Sequence, residues 1–128
     1  MTTRKVAGTI VLCKGKILLL KRHEKDSFPG YYGLPGGGVK NGEEFKHAAL
    51  RELREETGLE LNDLEKFMNI KDKRIDYHAF MTKLDKKPEI ALSHEHSDYL
   101  WIAPKAALKM KNLVYKQNFD KLLLKLLG

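Results

Sequence analysis

Apolar and polar positions follow two different periods along this chain, and the changes of period divide it into elements. Val6 to Cys13 and Lys16 to Lys21 are dense in β-branched and aliphatic residues and are joined at Lys14-Gly15, so two strands in a hairpin are expected. A polar loop containing Pro29 and Gly30 follows, from Lys21 to Tyr32. Six of the ten glycines then fall between positions 30 and 42, and Gly33-Leu34-Pro35-Gly36-Gly37-Gly38 is too rich in glycine for regular structure to be expected. Asn41 suits a helix N-cap, with Glu44 completing a capping box. The helix should run from about Gly42 to Thr57 and stop at Gly58, which tolerates the left-handed conformation.

Leu64 to Lys71 and Arg74 to Leu84 read as two further strands turning at Asp72-Lys73, and Tyr99 to Ala103 as a short one. Pro104 fits the first turn of a helix reaching about Lys109. The last segment sets Phe119, Leu122, Leu123, Leu126 and Leu127 on one helical stripe, with Lys121 and Lys125 off it. Packing on a core explains that stripe, with a membrane or partner helix as the alternative. Strands and helices mixed in this order predict an α/β sandwich.

Composition narrows the class. A chain of 128 residues is expected to form one domain, 1–128, without a second core. No apolar run approaches the roughly 18 residues of a membrane span, and Met1 to Lys5 lacks the apolar region of a signal peptide. Cys13 is the only cysteine, which excludes an internal disulfide or a cysteine metal cluster and makes a reducing cytoplasm the expected compartment. The formal charge of +7 is uneven: residues 41–60 carry six acids against three bases, a net −3, which leaves +10 elsewhere. An acidic patch in a basic protein suits a cation site in a field that attracts anions. A solvated helix face with lysines spread for solubility gives the same totals, so charge alone does not decide.

The helix itself contains a conflict. Phe45, Ala48, Ala49 and Leu53 define its apolar stripe, yet at about 100° per residue Glu52 and Glu56 fall within that stripe and Glu55 on its flank. Carboxylates turned toward a core are costly unless compensated, and their mutual repulsion raises their pKa values. Arg51 and Arg54 can pair with some of them but are not expected to point the same way. A hard divalent cation removes the penalty; salt bridges on an exposed helix are the competing account.

The glycine loop adds the context. The chain reads Gly37, five residues, Glu43, seven residues, Arg51-Glu52-Leu53, one residue, Glu55-Glu56, one residue, Gly58-Leu59. This resembles the Nudix box of the Nudix hydrolase family, with a strand hairpin and Leu34-Pro35-Gly36 leading in and strands following. The resemblance implies a Nudix-type α/β/α sandwich with a mixed β-sheet and a loop–helix–loop catalytic element. It implies that Glu52, Glu55 and Glu56 bind a divalent metal, Mg2+ with Mn2+ as a substitute, joined by a backbone carbonyl near Gly36. Arg51 would pair with Glu43 or orient the metal glutamates, and Gly37 and Gly58 would be structural. Many relatives are dimers, so a homodimer is one option.

The implied reaction is hydrolysis of the diphosphate of a nucleotide-type substrate: a nucleoside diphosphate joined to a phosphate, a sugar or a second nucleotide. The metal neutralises phosphate oxygens and acidifies water, and a carboxylate takes the proton. Glu52, Glu56 and Glu95 are the candidates. Glu95 lies in Leu92-Ser93-His94-Glu95-His96-Ser97-Asp98-Tyr99-Leu100-Trp101, which looks like the matching loop of dinucleoside tetraphosphate hydrolases. Pro35-Gly36-Gly37-Gly38 departs from that subgroup, which usually carries a basic residue there, so the subgroup stays open. Asp98 is the reserve carboxylate. His94 and His96 without acidic or cysteine company do not make a zinc site, and Trp101 reads as core. Arg22, Lys16 and Lys21 can meet phosphates, and Tyr31, Tyr32 or Phe28 can stack a base; Arg22 and Tyr32 are taken as the substrate contacts. Two other classes remain. One is a non-catalytic Nudix-fold module that senses a nucleotide or binds an RNA end, which the intact glutamates disfavour. The other is a nucleic-acid binder, for which the basic residues are too scattered and no motif is present, a capped RNA end apart.

Overall fold

Lys14 and Gly15, with φ of 51° and 78°, turn β1 (Arg4–Cys13) into β2 (Lys16–Arg22) as a two-residue hairpin requires. The two strands stay paired only at Leu12–Ile17 and Cys13–Lys16 and then part. The computed structural model describes residues 3–23 and 28–128, so the middle of the 21–32 loop and Met1-Thr2 of the N-terminal reading lie outside the described residues.

The parting of β1 and β2 shapes the molecule. Beyond the hairpin, β3 (Tyr32–Gly33) pairs with β2 at Leu20 and Lys21, while β4 (Gly36–Gly38) pairs with β1 at Val6 to Gly8. The opposite edge of β1 runs parallel to β6 (Ile75–Leu84) over ten residues, and β6 pairs antiparallel with β5 (Glu65–Lys71). β7 (His96–Ile102) pairs antiparallel with β2, with a register shift between Lys21 and Arg22. The result is a mixed seven-stranded sheet opened along its centre. Asp72 tightens the β5–β6 turn by accepting from the backbone N–H of Arg74 and Ile75 at 2.7 and 2.9 Å.

Helices cover both faces. α1 (Phe45–Thr57) sets Ala48, Ala49 and Leu53 against Ala7, Val11, Leu18, Leu20 and Phe80. α2 (Pro104–Ala107) and α3 (Lys116–Leu127) set Ala107, Phe119 and Leu123 against Ile10, Ile17 and Leu19. A strand covered on both faces is apolar throughout, which explains the unbroken Ile17-Leu18-Leu19-Leu20 run. This is the expected α/β/α sandwich. No helix among the described residues is long and apolar enough to cross a membrane.

Four expectations are corrected. The glycine run is partly regular, as β3 and β4, because Gly36 permits a backbone approach to β1 that a side chain forbids. α1 begins at Phe45, not Gly42: Gly42 has φ of 77°, outside any right-handed helix, and the N-cap is Glu44 without a side-chain cap, so the Asn41 capping box does not form. β7 starts three residues before Tyr99, carried by its pairing to β2. Leu127, placed on the core stripe of α3, is 47% exposed because the helix ends beyond the sheet. Gly58, in contrast, caps α1 at φ 79° as expected, its N–H bonded to the Arg54 carbonyl.

Gly36 and Gly15 give a direct comparison. A Cβ at Gly36 would meet the Ala7 carbonyl and the Gly8 Cα, both backbone, whereas Gly15 faces open space and needs only its positive φ. Gly36→Ala should therefore lower unfolding free energy by about 3 kcal/mol or more, against about 1–2 kcal/mol for Gly15→Ala. Urea denaturation measures both, and the reverse order would refute the close-approach argument.

Candidate active site

The guanidinium of Arg51 is the hub of the acidic helix. Its Nε and Nη2 donate to both carboxylate oxygens of Glu43 at 2.8 and 2.9 Å, and Nη2 also donates to the Gly38 carbonyl at 3.0 Å. Nη1 donates to Glu52 Oε1 at 2.9 Å and Glu55 Oε1 at 2.8 Å. The pairing of Arg51 with Glu43 that the resemblance implies is seen; only its direction differs from the helix-geometry reading, because the long side chain folds back to reach Glu52 and Glu55 as well. Glu43 also accepts the Lys40 N–H at 3.0 Å. The Arg51 hydrogen bonds hold the Glu43 carboxyl down at about 2, despite partial burial, and Glu43 in turn raises Arg51 above its usual range.

Glu56 stands in the opposite situation. It is 4% exposed, and its Oε1 accepts the Gly36 N–H at 2.8 Å. Burial, reinforced by the neighbouring charges of Glu52 and Glu95, pushes its carboxyl up to about 9, against the lowering effect of that single hydrogen bond. Gly37 lies against Glu52 on the other side: a Cβ there would lie 2.7 Å from its carboxylate and would displace that carboxylate from its present place. Thr57 locks the helix end, donating to the Leu53 carbonyl at 2.6 Å and accepting from the Leu59 N–H at 3.2 Å.

Glu95 precedes β7 and is positioned by its carbonyl, which accepts the His23 N–H at 3.0 Å, and by its own N–H, which meets Ser93 Oγ at 3.3 Å. Its charge reaches Glu56, so the structure brings this loop residue to the acidic helix. Asp98 is turned to its own strand, accepting the Tyr99 N–H at 2.8 Å. Glu55 is half exposed and bonded to Arg51. As the side chains stand, no three His, Cys, Asp or Glu among the described residues converge on one metal position. Arg51 draws Glu52 and Glu55 to itself, and Glu56 is tied to Gly36. The donor set still has the chemistry of a hard-cation site: Glu56 and Glu52 are adjacent carboxyls, one of them buried, and can both be ionised only beside a cation.

A cavity of about 170 Å³ opens where β1 and β2 part. Gly36 and Gly37 line it, so one backbone thickness separates it from Glu52 and Glu56. Arg22 lines it too. Tyr32 does not; it packs on the Ile10–Phe119 cluster, and its backbone bonds to residues 112 and 114. Gly36, expected to offer a carbonyl, engages through its N–H. Trp101 packs beside Val11, Leu18 and Leu53, as core. His96, singled out with His94 as a possible phosphate contact, lines the cavity, and sequence reasoning missed Tyr77, Tyr115 and Asn118, which line it too. These four come from three separate segments, so no local pattern joins them; the parallel β1–β6 register and the docking of α3 do.

With this geometry, the comparisons with known proteins are direct. The family model of the NUDIX domain matches residues 2–123, and the chain belongs to the Nudix family. The nucleoside triphosphatase NudI of Salmonella paratyphi B is 32% identical over 119 residues, covering 81% of this chain and 84% of that protein. The solution structure of the Escherichia coli ORF135 protein is similar with a TM-score of 0.80 at 30% identity, over 99% of this chain and 90% of that one. A Caenorhabditis elegans Ap4A hydrolase is similar with a TM-score of 0.77 at 25% identity, over 97% and 95%. The chain is a hydrolase acting on pyrophosphate bonds, of a family that generally uses divalent metals.

The two shifted carboxyls give opposite pH responses. Folded Glu56 keeps a proton up to about 9 that the unfolded chain loses near 4.5, so its contribution to stability is full below 4.5 and is lost as pH rises to about 9. Glu43 contributes above 4.5 and its share is lost as pH falls toward 2. In chelator, Glu56→Gln should flatten the fall in Tm from pH 5 to 9, and Glu43→Gln the fall below pH 4.5, relative to the parent. Parallel Tm profiles for parent and variants would contradict both assignments.

Proposed function

We propose that this chain is a magnesium-dependent pyrophosphohydrolase that cleaves the diphosphate linkage of a nucleotide. The observation that carries this is Glu56, buried beside Glu52 and within the field of Glu95, one backbone layer from the cavity. The likeness to proteins named nucleoside triphosphatases makes a nucleoside triphosphate the first substrate to test. The Ap4A hydrolase likeness adds dinucleoside polyphosphates to the panel.

In this reading Glu52, Glu55 and Glu56 would hold the cation, with the Gly36 carbonyl as a further oxygen donor. A divalent cation, when bound, would supply the countercharge that a diphosphate needs and acidify water. Arg51 keeps Glu52 and Glu55 on the same side of α1. Glu95 approaches from the β7 side, opposite Glu52 and Glu56, and would accept the proton of the attacking water at its carboxylate. Arg22, on the cavity wall, meets the phosphate chain as it leaves the cavity.

Phosphate or pyrophosphate release from a nucleotide panel, with magnesium and after exhaustive chelation, tests the reading. Turnover that survives chelation would sink it, and tight nucleotide binding without turnover would mark a sensing module instead. Glu56→Gln and Glu52→Gln should each lower kcat by about two to four orders of magnitude with the fold intact. Glu95→Gln should lower kcat by at least about tenfold with little change in KM, and Asp98→Asn should cost less. If Glu95→Gln is silent while Asp98→Asn abolishes turnover, the proton acceptor is Asp98.

A further inference from the structure

We infer that the Tyr77 hydroxyl reads the edge of the nucleobase of a nucleotide seated in the cavity between the parted strands. This rests on the proposed nucleotide substrate and names the residue that selects among bases. Tyr77 sits on β6 opposite Val6 of β1 and lies among the cavity-lining residues. Its ring is laid across Gly8, where a Cβ would run into the hydroxyl. Glycine at position 8 therefore lets the phenol reach across to β1, while its ring packs beside Ile70 and Leu122.

The hydroxyl has no hydrogen-bond partner among the described residues, yet it is not sealed from the cavity as Thr9 Oγ1 is sealed in the core. Phenylalanine would fill the same space, so what tyrosine adds at this position is a hydroxyl free to bond a molecule that enters the cavity. Burial pushes the phenol above its usual range, so it remains protonated and serves as donor or acceptor. Around it the walls are apolar: Leu34, Ile70, Ile75, Val114, Phe119 and Leu122. A flat heterocycle with hydrogen-bonding groups only on its edge matches such a lining, with its faces against carbon and its edge against Tyr77. The same cavity is bounded by Gly36 and Gly37, so a base held there directs its phosphates toward the acidic helix.

The test is calorimetric binding of the nucleoside monophosphates of the common bases in chelator, with parent and Tyr77→Phe, alongside kinetics with the matching triphosphates. The parent should prefer one base, and Tyr77→Phe should weaken that base about tenfold, equivalent to about 1.4 kcal/mol, while the others change little. KM should follow this change with kcat preserved, and Tm should stay level or rise, since an unpartnered hydroxyl is removed. A parent without base preference in binding overturns the inference. So does a variant that binds every base as the parent does, or one that loses affinity for all bases equally with a lower Tm, which marks a structural hydroxyl. Failure of the hydrolysis reading shows separately, as nucleotide binding without magnesium-dependent turnover.

Discussion

Arg51 is the interaction on which the catalytic helix depends. Three carboxylates and a backbone carbonyl surround one guanidinium, and only its planar fork of five donors can serve them together. Lysine would offer one point charge and could not hold Glu43 in two bonds while reaching Glu52 and Glu55. The bonds also cross between elements: Glu43 lies before α1 and Gly38 on β4, so Arg51 pins the helix to the glycine-bearing strand as well as balancing its charge. Apolar packing of Ala48, Ala49 and Leu53 docks α1 on the sheet, and Arg51 ties its acidic flank to β4.

The glycines are the steric counterpart of that charge balance. β1 and β2 part after the hairpin, and β4 is the strand that lines the β1 lip. It lies between β1 and α1 with Gly36 against the β1 backbone and Gly37 against Glu52, so a side chain has no room at Gly36 and would displace the Glu52 carboxylate at Gly37. The thin wall that results is what places an apolar cavity and an acidic cluster back to back. In the proposed reading, the apolar cavity would take the base of a nucleotide and the acidic side its polyanion.

Glu56 carries the energetic tension of the site. A carboxyl this buried, with one backbone donor and acidic neighbours, is destabilising when ionised, while the surrounding Ala48, Ala49 and Leu53 packing holds the helix in place regardless. Strain of this kind at a site is sustained by the rest of the core.

Much of this was legible in the chain itself. The strand hairpin, the β5–β6 pair, the cap at Gly58 and the three glutamates of α1 are set by local periodicity and fixed spacing, which short-range sterics and helix geometry enforce. Glu95 was singled out only by the likeness of its loop to that of Nudix relatives, and its nearness to Glu56 comes from the β2–β7 register and its bond to His23. The start of α1, the strand within the glycine run and the inward turn of Arg51 were not legible, because each depends on what another element does at that point. The cavity was the least legible: Tyr77, His96, Tyr115 and Asn118 carry no shared pattern, and Tyr32 looked as suitable as any of them. Local sequence determined which elements form and which residues carry charge at the site. Tertiary structure alone decided where two strands separate, and so which side chains face the space between them, since that depends on long-range pairing that no short window encodes.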